Sequence, residues 1–140
     1  IGIGEELRQH VTDAKGDQRI AFRGWFGAAE LEKMLIESDI LVAPSALYDN
    51  SPTVVYEALA HGVPILTSDL GGAQEVIYED KNGWVVAAGD QDALSRTLLA
   101  LSLDRERVER AALGALPSIA DHSLDRYTEK FLNACQNDTP

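Results

Sequence analysis

Asp49 and Glu57 bracket a Ser51-Pro52 pair, a spacing suited to an anionic ligand that also carries hydroxyls. Ser51 is predicted as the N-cap of a helix and Pro52 as its first residue, where a missing amide hydrogen costs nothing. The amides of Thr53 and Val54 then fall among the unpaired donors of the first turn. Added to the helix dipole, they make a place for a phosphate group. Glu57 lies about 9 Å further along the axis, at ~1.5 Å per residue. Helical side chains lean back toward the N-terminus, which brings its carboxylate nearer the first turn. A diphosphate on the helix start and ribose hydroxyls on Glu57 fit that separation. Asp49, just ahead of the cap, faces whatever is attached beyond the second phosphate. The same residues also suit an ordinary Ser-Pro helix start with a solvated glutamate, and spacing alone does not choose between the two.

Other residues with chemical potential have plainer readings. Gly71-Gly72 suits a tight turn, because glycine takes positive φ cheaply. Glu75 reads as a charge in the first turn of a helix, and Asp90 as the N-cap of the next one. His61 reads as a partner for a helix C-terminus or a surface residue. His10 and His122 have no partner pattern. Residues 105–110, RERVER, read as a solvated helical face. Cys135 is the single cysteine, so it forms no intramolecular disulfide and no cysteine metal pair. In a late helix it reads as a small apolar filler.

The elements that must hold these residues alternate along the chain. Residues 5–14 read as a first helix and 19–24, RIAFRG, as a strand ended by Gly24. A second helix places Leu31, Met34 and Leu35 on one face. Residues 39–44 read as a short buried strand stopped by Pro44. Residues 51–62 form the helix of the acidic pair, with Gly62 as its stop. VPILTS is a further buried strand, GGAQEVIYED a glycine turn into a short helix, and GWVVAA a fourth strand. A helix carrying Leu94, Leu98 and Leu101 follows, then helices over about 104–116 and 123–135. Apolar strands alternating with amphipathic helices imply right-handed βαβ units and a parallel sheet buried on both faces. The expected fold class is therefore α/β, a Rossmann-like parallel sheet flanked by helices. Ligands of such sheets bind beyond the carboxyl ends of the strands, which singles out loops 24–28, 45–52 and 69–72.

With 140 residues, the chain suits one domain, 1–140, with C-terminal helices over about 104–136. The formal net charge of −11 repels phosphate backbones and argues against nucleic acid as a partner. No apolar run is long enough for a transmembrane helix, and no signal peptide precedes the first predicted element. The chain opens on Ile1 rather than Met, as expected of a fragment or a processed product.

The order and spacing of these segments resemble a known family. Asp49, Glu57, EALAHGVPILTSDLGGAQEVI, the IAFRG and SDILVAPS segments, the GGxxE turn ending at Glu75 and NGWVV followed by DQDAL look like the donor-binding domain of retaining GT-B glycosyltransferases of the family-4 type (glycosyl transferases group 1). The resemblance covers nearly the whole chain. It implies a hexosyltransferase-type enzyme that moves a sugar from a nucleoside diphosphate sugar, such as a UDP-sugar or GDP-sugar, with retention at the anomeric carbon. It implies that Glu57 binds the nucleotide ribose and that Asn50, Ser51, Pro52, Thr53 and Val54 meet the diphosphate and sugar. Trp25 and Phe26 match the segment lining the base pocket, mostly through backbone groups, although they also suit a loop plug over the sheet edge. Gly71 and Gly72 match the turn beside the donor. Asp49 matches the acidic residue beside the donor sugar, which carries the catalytic role in this reading. The family normally has glutamate there, so Asp49 is one methylene shorter.

The resemblance further implies no metal and no cofactor beyond the nucleotide sugar, with backbone amides and an Arg and Lys taking the diphosphate's charge. That Arg and Lys stand upstream in the family, before IGIGEEL, which looks like the end of a second strand and the GxGxxxxxL after it. The acceptor, a saccharide, lipid or small molecule, would bind an N-terminal domain. The chain alone is accordingly expected to be inactive. A cytoplasmic location is implied, with peripheral association of the full-length enzyme at the cytoplasmic face of the membrane. Two other readings remain open: a nucleotide-binding module of a split enzyme, and a sugar-nucleotide epimerase of the same fold, which the Asp49–Glu57 arrangement fits less well. A flavodoxin-like receiver lacks its acidic cluster and late lysine here.

Overall fold

A computed structural model describes residues 5–137, so the IGIG segment lies outside the described residues. The chain divides into two compact units, Ile1–Leu31 and Glu32–Pro140.

The first unit contains helix α1 (Glu5–Ala14) and the start of α2 (Ala28–Ile36). The Glu30 carboxylate accepts the Gly27 amide at 2.6 Å, the reach-back bond of a capping box. Between the helices, the Arg19 guanidinium meets the Asp17 carboxylate at 2.6 Å and holds that carboxyl below its ordinary range. The strand expected over 19–24 is not formed. The segment has no ladder partner among the described residues, and a strand exists only through its neighbour's N–H and C=O groups. Ile20 and Phe22 are about half exposed.

The second unit is built on a parallel sheet of order β1-β2-β3, formed by Leu41–Ala43, Ile65–Ser68 and Gly83–Val86. Every residue of β2 is buried, as expected of a continuous apolar strand. β1 is not buried on both faces: Val42 is exposed, on a strand at one edge of the three-strand ladder. One core forms where Leu66, Trp84 and Val86 pack with Leu101 of α4 (Gln91–Leu103) and with Val108 and Ala111 of α5 (Arg105–Ser118). Helix α3 (Thr53–Ala60) buries Val55, Ala58 and Leu59 and contacts β2 and α5.

Local chemistry sets the helix ends. α3 closes on Gly62 at φ +75°, with Gly62 N–H donating to Leu59 O at 3.1 Å and Val63 N–H to Ala58 O at 2.9 Å. This is the Schellman pattern, in which a left-handed residue frees two amides to satisfy orphan carbonyls. The His61 ring nitrogen meets Glu57 O at 2.7 Å, the helix-end role expected of it. Asp90 caps α4 by accepting the Ala93 amide, also as expected. Helix α6 (Leu124–Asn137) carries Cys135 on an exposed position, so that residue does not fill a core.

The RERVER segment is not simply a solvated face. Arg107 lies over the Trp84 ring at 5.6 Å, bonds the Asp80 carboxylate and reaches Glu79 at 3.5 Å. Arg105 pairs with Asp39 at 2.8 Å. Both contacts join groups far apart in sequence, which helical periodicity does not reveal. Asp80 also accepts the Trp84 indole N–H at 2.7 Å. The Arg107 hydrogen bond first, and the Trp84 bond second, hold the Asp80 carboxyl below its ordinary value. A carboxyl with a depressed folded-state pKa stabilises the fold above its unfolded value and loses that contribution as pH falls through the folded one. Asp80→Asn keeps a residue that tolerates the local φ of +60°. It should melt below the wild type at neutral pH, with the gap closing as pH drops through the acidic carboxylate range. Thermal midpoints measured across that range check this, and a gap that stays constant with pH would refute it.

Candidate functional site

The carboxyl ends of β1 and β2 open into a cleft of about 360 Å³. Ser45, Asp49, Pro52 and Val54 line one side, and Thr67, Leu70 and Ala73 the other. Two of the three loops singled out by the sheet rule therefore meet here. Residue 67 is a strand position, and its hydroxyl donates to Ala43 O at 3.1 Å. The neighbouring Ser68 hydroxyl donates to Ser45 O at 2.7 Å. These buried hydroxyls of β2 fasten the start of the β1–α3 loop.

Helix α3 starts one residue later than expected. Pro52, not Ser51, is the N-cap, at φ −67° and ψ 114°, with no side-chain cap bond. The Ser51 amide is instead taken by the Asp49 carboxylate at 3.1 Å, an Asx-type turn. The residue before a proline is also biased toward extended backbone. Val55 N–H closes a tight first turn on Pro52 O at 3.1 Å. Thr53 and Val54 thus occupy the first two helical positions, and their amides have no intrahelical acceptor. The donors expected of this helix start survive the shift of its cap.

Gly71 and Gly72 are brought against the acidic loop. Gly72 N–H donates to Asp49 O at 2.8 Å. A Cβ at Gly72 would lie 1.8 Å from Asn50 O, and one at Gly71 would lie 2.4 Å from Asp49 O. Gly71 also sits at φ +81°. These glycines are therefore required for close approach of two backbones, beyond the turn itself. Glu75 is exposed in the 3₁₀ turn Gly72–Val76, a first-turn charge as expected.

Among the described residues lining the cleft, Asp49 is the one that is charged. Among the described residues, an anion held here would be met by helix amides. Glu57 is exposed and lies outside that lining. It follows Val54 by three positions, so the two share a helix face. Trp25 and Phe26 belong to the first unit. Trp25 is 98% exposed and Phe26 about half exposed.

Several framing residues were not singled out by sequence reasoning. Asp69 accepts the Ala88 amide at 2.7 Å, and its own amide donates to Val86 O at 2.9 Å. The Gln74 amide group donates to Asp69 O at 2.9 Å and Gly71 O at 3.3 Å. The polar Asp69 directly after an apolar strand was a usable signal. Gln74 offered none, because its partners are backbone carbonyls.

Fold and cleft together define a Rossmann-like α/β domain with its opening beyond the carboxyl ends of parallel strands. The family described as glycosyl transferases group 1 matches residues 1–104, and the chain belongs to it. The amylovoran biosynthesis glycosyltransferase AmsK of Erwinia amylovora is 29% identical over 123 residues, covering 82% of this chain and 30% of that protein. The chain thus spans about a third of that relative's length. Among solved structures, HepE of Anabaena in complex with UDP superposes with a TM-score of 0.78 at 22% identity, over 95% of this chain and 36% of that one. HepE in complex with UDP-glucose gives a TM-score of 0.76 at 21% identity, with the same coverage. At that identity the likeness shows the fold, which is that of the GT-B glycosyltransferases. Among the described residues, no helix is long and apolar enough to cross a membrane.

Proposed function

We propose that the cleft holds a nucleoside diphosphate sugar, and that the protein transfers the sugar to an acceptor with retention at the anomeric carbon. The observation that carries this reading is the juncture of the two loops: Gly72 N–H bonds Asp49 O at 2.8 Å, and Val54, at the start of a helix whose first amides lack intrahelical acceptors, lines the same cleft as Asp49 and Leu70. Family membership and the nucleotides bound by HepE support it. In this reading the α3 amides take the diphosphate, with no metal assigned to the departing charge. Glu57 accepts two ribose hydroxyls. Asn50, Ser51 and Pro52 shape the diphosphate loop, Gly71 and Gly72 lie beside the sugar, and the backbone of Trp25 and Phe26 serves the base. Asp49 stands on the sugar side. Its carboxylate already accepts the Ser51 amide, so its first task is to shape the loop. The acceptor is assigned to other parts of the full-length protein, so the 140-residue chain alone is expected to transfer little or no sugar.

Calorimetry with UDP, GDP and ADP tests the site directly. Glu57→Ala should weaken nucleoside diphosphate binding by about tenfold or more, the worth of a lost charged hydrogen-bond pair. Asp49→Ala should leave binding of the plain nucleoside diphosphate within about threefold, since only loop-shaping bonds of ordinary strength are lost. The reverse order of effects would refute these roles.

A further inference from the structure

We infer that Gln74 is a positioning residue for this cleft, fixing the Asp69–Leu70 and Gly71–Gly72 peptide planes. The inference rests on the nucleotide-sugar reading above and adds to it a residue and a backbone donor.

The Gln74 Nε2 group donates to the carbonyls of Asp69, at 2.9 Å, and Gly71, at 3.3 Å. The peptide between Gly71 and Gly72 is thereby held at both ends, because its N–H donates to Asp49 O at 2.8 Å. In a planar trans peptide, C=O and N–H point in opposite directions. With the Asp69 carbonyl turned toward Gln74, the Leu70 N–H is sent the other way. That amide has no acceptor among the described residues, and Leu70 lines the cleft together with Asp49, Pro52 and Val54. The turn is already fixed at its start, where Asp69 bonds Val86 and Ala88. The bond of Gly72 to Asp49 O fixes its far end, and Gln74 fixes the orientation of the Asp69–Leu70 peptide between these two points. The Leu70 amide then stands ready for an oxygen of the donor, either phosphate or sugar hydroxyl.

Two variants separate this role from simple packing. Gln74→Met keeps the length and removes the donor. Gln74→Glu keeps the shape and sets an acceptor against two carbonyls. The readouts are thermal midpoint, hydrogen exchange at the Gly72 and Ile65 amides, and calorimetry with UDP and UDP-glucose. The Ile65 amide bonds Asn82 O within the sheet region and reports global opening. For a lost positioning bond of ordinary strength, Gly72 exchange should quicken and UDP-glucose binding weaken by about tenfold each, with Gln74→Glu worse than Gln74→Met and Ile65 exchange unchanged. Gly72 and Ile65 amides quickening together would make Gln74 merely structural and overturn the inference. Wild type and both variants binding UDP-glucose alike would overturn it while leaving the nucleotide-sugar reading intact. A wild type that binds neither nucleotide overturns both.

Discussion

Gly72→Ala should destabilise the protein by about 3 kcal/mol, the sum of an overpacked contact and a lost hydrogen bond, and should abolish nucleotide binding. The added methyl would stand 1.8 Å from Asn50 O and 2.7 Å from Asn50 C. Both are main-chain atoms, so no side chain can rotate away to make room. The two loops would have to separate, and the Gly72 N–H bond to Asp49 O would break with them. Gly89→Ala is the control for backbone strain without a contact. It carries a positive φ of +78° but has nothing within 4 Å of the added atom, so only conformational strain of about 1 kcal/mol is expected. Urea unfolding of both variants, with UDP calorimetry alongside, measures the difference. Equal losses in the two would mean that the loop contact is not tight.

Asn82→Asp should be nearly as damaging although it barely changes shape. Asn82 is fully buried between β2, the 3₁₀ turn and α5. Its carbonyl oxygen accepts the Tyr78 amide at 2.7 Å, and its amide nitrogen donates to Val76 O at 2.8 Å and to the Ser118 hydroxyl at 2.7 Å. Aspartate would turn an oxygen toward the Val76 carbonyl and bring a charge into a dry site. A cost of about 3 kcal/mol or more follows from the unmade bonds and the desolvated carboxylate. Burial raises a carboxyl's pKa, so the variant's deficit should be smallest in acid and grow as pH rises through the ordinary carboxylate range. Urea midpoints at acidic and neutral pH check both size and sign. A deficit independent of pH would show that the carboxylate is not buried.

The α/β class, the parallel order and the placement of the acidic helix were legible in the sequence because periodicity and turn residues are local signals. So were the Gly62 stop and the Asp90 cap, each set by one residue's own chemistry. Misread features depended on which partner a group finds, remote in sequence for residues 19–24 and Arg107 and two residues away for Ser51. Residues 19–24 have strand composition but no ladder neighbour among the described residues. Ser51 looks like a cap, yet its amide belongs to the Asp49 carboxylate and the helix begins at Thr53. Arg107 has a helical surface pattern, yet it is held by Trp84 and Asp80. In the site, spacing identified the amides of Thr53 and Val54. The glycine pair was legible as a turn, but its fit against Asp49 and Asn50 needed three dimensions.

That fit has a consequence for how the site can vary. The seam between the loops is main chain on both sides. It therefore reads no side chain at positions 49 and 50, while admitting none at 71 and 72. One lip of the cleft is free to explore new chemistry toward a ligand, and the other is frozen so that the exploration does not cost the frame. The contact that aligns the loops is made by atoms every residue has.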